Sequence, residues 1–296
     1  MEAVHKPVML QEILDFFRQT KAENPVFLDM TAGEGGHSLA ILETFPGSKL
    51  WMIDRDEVML GRATARVEKY SERVTPRNIN FSELKDNIGD IRFGGIVADL
   101  GISMFHYTGR GRGFSFKMDE PLDMRLDNSS SLTAADIVNR YGVKEMEKIF
   151  YEYGEERWTK KIVEKIVETR KRKPFNTSSQ LADFIAGVIP RKFWPPGRHP
   201  AFRIFQALRI MVNDELGHIE RGIIPAAQFL ESGGVMCVIS FHSLEDRIVK
   251  NKMRDLARER KGEFELLTKK PLLPGAEEIS DNPASRSAKL RVIRKI

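Results

Sequence analysis

Phe27-Leu28-Asp29-Met30-Thr31-Ala32-Gly33-Glu34-Gly35-Gly36-His37-Ser38 reads as an apolar strand that closes on an acid, a glycine-rich loop and the opening of a helical pattern. Glycines let backbone N–H groups close on a ligand, and the helix start beyond them favours a carboxylate or a phosphate. A dinucleotide loop has the pattern G-x-G-x-x-G. Here Gly33-x-Gly35 is followed by Ser38 where the third glycine would stand, which weakens a nicotinamide reading. A second apolar run ends in Asp54, 21 residues after Gly33, where a carboxylate can accept both hydroxyls of a ribose. Ribose plus a small anion suits S-adenosylmethionine, whose methionine end carries a carboxylate. The alternative is a structural tight turn with an incidental acid.

Outward from that loop, the first hundred residues alternate short apolar runs with helical patterns, the sign of a parallel sheet built from strand-helix-strand units. Strands are expected at residues 26–29, 50–54, 78–81 and 96–100, then at 235–240, with a half-exposed strand at 289–292. Phe81 and Asp99 then join Asp54 at strand carboxyl ends, the edge where open parallel sheets bind ligands. A phenyl ring there can stack on adenine; singly, Phe81 also reads as core and Asp99 as a helix cap. Between Leu100 and Val235 lie 134 residues, whereas a one-helix crossover needs only about 30. The surplus is an inserted domain, and it reads helical. Residues 157–170 put Trp158, Ile162, Val163, Ile166 and Val167 on one stripe. Residues 203–216 repeat the pattern with Ile204, Leu208, Met211 and Val212, as a helix returning to the sheet would, after the aromatic turn Phe193-Trp194-Pro195-Pro196-Gly197. The expected division is 1–110 and 207–296 for the sheet domain and 111–206 for the all-helical insert.

A chain of 296 residues, 41% hydrophobic and 30% charged, is long enough for a sizeable core, which excludes a disordered tail protein. No apolar run approaches the roughly 18 residues of a membrane span, and the start lacks the apolar core of a secretion signal, so a cytoplasmic protein is expected. The one cysteine, Cys237, sits in an apolar run and reads as a core residue. The six histidines are scattered without ligand pairs at helical spacing, so no metal is expected. The formal charge of +5 favours an anionic partner, and residues 157–175 alone carry eight basic side chains against two acidic.

Nine blocks in one order carry a resemblance: Gly35-Gly36-His37-Ser38, Ile53-Asp54-Arg55-Asp56, Asp99-Leu100-Gly101-Ile102-Ser103, Arg112-Gly113-Phe114-Ser115-Phe116, Pro121-Leu122-Asp123-Met124-Arg125, Arg198-His199-Pro200-Ala201, Phe205-Gln206-Ala207-Leu208-Arg209-Ile210, Ser240-Phe241-His242-Ser243-Leu244-Glu245-Asp246-Arg247 and Ser285-Arg286-Ser287-Ala288-Lys289-Leu290-Arg291. With these, the chain from His5 to its last residue resembles the RsmH/MraW family of bacterial 16S rRNA cytosine-N4 methyltransferases. The resemblance implies a class I S-adenosylmethionine-dependent methyltransferase, an α/β fold with a Rossmann-like doubly wound sheet, acting on a cytidine in the decoding region of 16S rRNA, conventionally position 1402. Its partner would be 16S rRNA within the small ribosomal subunit. Carried over, the cofactor contacts are Gly35, Gly36, His37, Asp54, Phe81, Asp99 and His106. The chain departs from the family at His106, where glutamine is usual, and at Ala284, often an arginine.

Cytosine N4 is a poor nucleophile because its lone pair is conjugated into the ring. Amino methyltransferases of DNA commonly place an acid or Asn, two prolines and an aromatic after the fourth strand, and Asp99-Leu100-Gly101-Ile102 has no proline. The proton acceptor must come from elsewhere, with Asp123 and His242 as candidates beside a plain turn or capping role. For RNA, Arg110, Arg112, Arg125, Arg198, His199, Arg203 and Arg209 offer phosphate contacts, with Phe193 and Trp194 as stacking surfaces or core plugs. Two rival readings remain: a nicotinamide-dependent oxidoreductase, and a non-catalytic RNA-binding or ribosome assembly protein.

Overall fold

A computed structural model describes residues 6–108, 111–127 and 130–296; Arg110 lies outside the described residues. The chain divides into two compact units, Met1–Ile102 with Leu216–Ile296, and Ser103–Glu215. These borders differ from the expected ones at 110 and 206. Among the described residues no helix is long and apolar enough to cross a membrane.

The first unit is built on a seven-stranded sheet: β1 (Val26–Asp29), β2 (Lys49–Ile53), β3 (Val74–Arg77), β4 (Phe93–Asp99), β5 (Leu230–Ser240), β6 (Phe264–Leu266) and β7 (Lys289–Lys295). Their order is β3-β2-β1-β4-β5-β7-β6, with β7 antiparallel to β5 and β6 and the other neighbours parallel. This is a class I methyltransferase sheet. The strand order reverses between the parallel neighbours β1 and β4, and ligands of open α/β sheets bind beyond the strand ends at such a switch point.

Strand alternation splits the core into two layers. On one face Phe27, Leu50, Met52, Val97, Cys237, Ile239 and Val292 pack under α1 (Leu10–Phe17), α2 (Gly36–Thr44) and α3 (Glu57–Arg66). On the other, Leu28, Ile96, Ala98, Met236, Val238 and Ile293 meet α4 (Leu84–Asn87) and two long helices described below. Gly95 leaves room for the first layer: a Cβ there would sit 2.8 Å from the rings of Phe17 and Phe27, which stack 4.9 Å apart. Cys237 is fully buried, as its apolar run implies, and burial pushes its thiol upward.

Three expectations need correcting. The third strand is residues 74–77, not 78–81, and Phe81 instead opens a 3₁₀ turn, Phe81–Glu83. The strand β6 had no counterpart in the sequence reading. The third concerns the helix said to return to the sheet.

The second unit holds α5 (Ala134–Arg140), α6 (Val143–Glu152), α7 (Thr159–Arg170), α8 (Ser178–Val188) and α9 (Phe202–Val212). The apolar stripe of α9 belongs here. A Cβ at Gly154 would lie 2.7 Å from the Arg203 carbonyl, so the chain after α6 passes directly against α9. Asn213, just beyond α9, donates to the Met124 carbonyl (2.7 Å) and accepts the Leu126 N–H (2.8 Å). The helix that covers the sheet is the next one, α10 (Glu215–Gln228), whose Ile219, Ile223, Ala226 and Ala227 join the second core layer with Val249 and Met253 of α11 (Ser243–Glu259).

Candidate cofactor and substrate site

At the carboxyl end of β1 the chain enters the glycine loop, and the loop is fixed by acids rather than by side-chain packing. The Ser38 hydroxyl donates to Asp29 Oδ2 (2.7 Å) and the Thr31 N–H to Oδ1 (3.2 Å). Gly33 and Gly35 take φ of 53° and 75°, a left-handed turn natural to glycine. Gly35 also has no room for a side chain, since a Cβ would meet Ala63 of α3 at 3.0–3.3 Å. The helix α2 then starts at Gly36 with Gly35 as an N-cap that offers no side-chain acceptor. First-turn N–H groups without a cap suit a carboxylate.

Asp54 follows β2 and closes the loop from the other side. Its Oδ2 accepts the Gly33 N–H (2.9 Å) and its Oδ1 the Asp56 N–H (2.9 Å). Each carboxylate oxygen has a second lone pair, enough for a diol. Burial, only partly offset by these two N–H groups, pushes the Asp54 carboxyl up to about 6; burial likewise takes Asp29 to about 6.

Asp99 closes β4. Its backbone N–H donates to the Thr31 hydroxyl (2.7 Å), which ties the ends of β1 and β4 together. Its Oδ2 lies 3.8 Å from Nδ1 of His37, whose Nε2 is 3.0 Å from the Val8 carbonyl. Its Oδ1 is buried and, among the described residues, has no hydrogen-bond partner. Burial first, then the charges of Asp29 and Glu245, hold the Asp99 carboxyl well above its ordinary range. A buried acceptor without a donor is costly unless a ligand supplies one.

Phe81 packs its ring against α10 at Gly222, where any Cβ would run into it, and belongs to the core layer on that side of the sheet. His242 is the N-cap of α11: its Nδ1 accepts the Glu245 N–H (3.4 Å), and its Nε2 lies 3.2 Å from Glu245 Oε1. The Glu245 carboxylate accepts the N–H groups of Phe241 and His242. Behind it Asp246 receives Arg291 (2.7 Å) and Lys289 (3.4 Å). The Glu245 and Asp246 arrangement was missed from sequence, although the His-x-x-Glu spacing is that of a capping box.

Asp29, Asp54, Asp99 and Glu245 make this strand edge anionic. Such a wall opposes a dinucleotide pyrophosphate and suits a cation. S-adenosylmethionine carries a sulfonium and an ammonium, the latter a donor of the kind Asp99 Oδ1 lacks.

Residues 2–296 match the MraW methylase family. The chain belongs to this family. It is 55% identical to ribosomal RNA small subunit methyltransferase H of Leptospira interrogans over all of this chain and 90% of that protein. It is 56% identical to the same-named protein of Leptospira borgpetersenii, over all of this chain and 95% of the relative. With that of Persephonella marina it shares 44% over 99% of both. Membership in a methylase family, with the class I sheet, removes the nicotinamide reading and makes S-adenosylmethionine the methyl donor.

In the second unit of this MraW methylase, the remaining sequence-derived residues fall into two groups. His106 is buried in the 3₁₀ turn Met104–Tyr107, edge-on to Phe114 (5.4 Å). Arg112 donates to the Leu126 carbonyl (3.1 Å), and Arg209 grips Glu215 with two bonds of 2.9 Å while reaching the Tyr107 hydroxyl (3.0 Å). Arg125 forms a two-pronged pair with Asp123 (2.8 and 2.7 Å) and donates to the Ser130 carbonyl (2.8 Å). Burial pushes the Asp123 carboxyl up, but the hydrogen bonds and charge of Arg125 outweigh it and hold the group below its usual range. Arg203 donates to the Glu155 carbonyl (3.0 Å). Arg198 and His199, by contrast, engage rings: Arg198 lies 4.8 Å above Phe202, and His199 stacks on Phe116 at 4.8 Å.

Proposed function

We propose that this methylase transfers the methyl group of S-adenosylmethionine to N4 of a cytidine in 16S rRNA of the small ribosomal subunit, at the position conventionally numbered 1402. The buried, partnerless Asp99 Oδ1 carries the cofactor half of this reading, since it asks for a donor at the strand edge where the glycine loop and Asp54 converge. The ribosomal half rests on relatives named for small-subunit rRNA methylation and on the nine motif blocks.

The bound cofactor supplies an electrophilic methyl on a positively charged sulfur. Asp54 holds the ribose hydroxyls, the first turn of α2 with Gly35, Gly36 and His37 receives the carboxylate, and Asp99 takes the ammonium. Phe81 and His106 are assigned to the adenosine portion on the resemblance. Of the two proton acceptors considered, Asp123 is favoured. His242 uses its Nδ1 lone pair as the cap of α11, whereas Asp123 stays ionised at neutral pH and keeps lone pairs beyond those given to Arg125. An anionic oxygen accepting an N4–H bond returns electron density to the amine. Asp123 would receive the proton that the amine loses on methylation.

Labelled S-adenosylmethionine, offered with small subunits or naked 16S rRNA, tests the reading through the nucleoside that acquires the label. N4-methylcytidine is expected. Label on another nucleoside would refute the specificity, and no transfer to either substrate would leave the non-catalytic RNA-binding reading in its place.

A further inference from the structure

The helical unit carries the chain's entire net charge: residues 103–215 hold 20 Lys and Arg against 15 Asp and Glu, leaving 27 against 27 elsewhere. Most arginines singled out from the sequence are spent inside that unit, on Glu215, Asp123 or backbone carbonyls. One segment differs. Between α8 and α9, Arg191, Lys192 and Arg198 are exposed and, among the described residues, none has a carboxylate partner.

Each of these three cations rests on a ring instead. Lys192 Nζ is 5.1 Å from the centre of Phe193, Arg191 is 5.7 Å from Trp194 and Arg198 is 4.8 Å from Phe202. Phe193 itself is 53% exposed, unusual for so large an apolar side chain, and leans on Trp158 at 5.3 Å. The ledge is braced from behind. Trp194 donates its indole N–H to the Ile189 carbonyl (2.8 Å), and His199 stands between Trp194 (6.2 Å) and Phe116 (4.8 Å). An exposed ring flanked by cations that have no carboxylate partner among the described residues is what an unpaired polynucleotide strand needs: a face for a base and charges for its phosphates. Duplex RNA hides its bases from such faces.

We infer that residues 191–199 form a stacking ledge for single-stranded RNA, with Phe193 as the base platform and Arg191, Lys192 and Arg198 as the phosphate contacts. This rests on the proposed RNA substrate and names the part of the chain that holds it.

The test uses the full-length protein and a fluorescein-labelled octacytidylate, read by anisotropy, beside a duplex of equal length. Phe193→Ala should weaken octacytidylate binding about tenfold, within the range of losing one stacked base. Phe193→Trp should restore it. Arg191→Ala with Lys192→Ala should lower the slope of log affinity against log salt by about 1.4, at roughly 0.7 per phosphate contact. The duplex should bind more weakly than the single strand. S-adenosylmethionine affinity, measured by calorimetry, should be unchanged in all variants. Parent-like octacytidylate affinity in Phe193→Ala, an unaltered salt slope in the double variant, or equal binding of duplex would overturn the ledge. If the parent binds octacytidylate through Phe193 but transfers no methyl to the small subunit, the proposed reaction fails while the ledge stands.

Discussion

Asp99 shows how the site trades folding energy for binding. The side chain is 19% exposed, yet its Oδ1 is buried without a donor, and burial with the charges of Asp29 and Glu245 raises its carboxyl well above the ordinary range. A raised folded-state value means that the folded protein holds a proton which the unfolded chain releases near pH 3.9. Stability contributed by this group is therefore present at low pH and is lost as pH rises through the folded value. Asp99→Asn removes that slope. The unliganded variant should melt higher than the parent at pH 8, the gap should close towards pH 4, and calorimetry should show donor affinity reduced at least tenfold. Equal melting at pH 8 would mean that the charge is compensated after all. Asp123 and His242 are told apart in the same way, by one role each. Asp123→Asn should leave donor affinity within about threefold and cut single-turnover methyl transfer about 100-fold, the scale of a lost proton acceptor. His242→Ala should instead lose about 1 kcal/mol of stability as an uncapped α11, with the rate little changed; a rate collapse there would reverse the assignment.

The strands and helices set how exactly those residues are held, and Gly95 marks the tightest point. Adding a methyl group inside β4 forces apart the stacked Phe17 and Phe27 rings, 2.8 Å from the new atom. Overpacking of this kind costs about 1–3 kcal/mol. Gly95→Ala should lower the midpoint of urea unfolding accordingly while the folded fraction binds donor normally. The interior strands were legible because both faces are buried and their apolar runs are continuous: residues 26–29 match β1 from end to end, and 235–240 falls within β5, which begins five residues earlier. The edges were not. The strand β3 contains Pro76, which cannot donate to a ladder and is tolerated only because β3 pairs on one side, with β2. Lacking an apolar run, it lost out to the more apolar 78–81. The three residues of β6 are too few to show a period. The misplacement of α9 has a different cause: its stripe of Ile204, Leu208 and Val212 is truly amphipathic, but periodicity says that a face is buried and not against what. For the site, Asp54 and Asp99 were legible because they sit at strand ends, whereas the engagement of Arg112, Arg125 and Arg209 with internal partners depends on contacts that no local pattern records.

At the scale of the whole molecule, charge and chemistry are divided between two chain segments that each have their own buried core. The sheet unit is electrically balanced and carries the glycine loop, Asp54 and Asp99; the helical unit is net positive and carries the exposed cations at 191–199. Donor binding and RNA binding should therefore separate. Replacing residues 103–215 with a flexible Gly-Ser linker should leave a folded sheet unit, since its two core layers are drawn from residues outside that range. It should bind S-adenosylmethionine within about tenfold of the parent, the deficit being the His106 contact assigned from the resemblance, and one hydrogen bond is worth about 1 kcal/mol. The same protein should no longer bind small subunits at physiological salt. Circular dichroism establishes that the shortened chain is folded, calorimetry reads the donor, and sedimentation with subunits reads the RNA. If the folded, donor-binding variant still cosediments with the parent's affinity and salt dependence, the helical unit is not the reader, and the phosphate contacts must lie on the basic C-terminal stretch from Arg286 to Lys295.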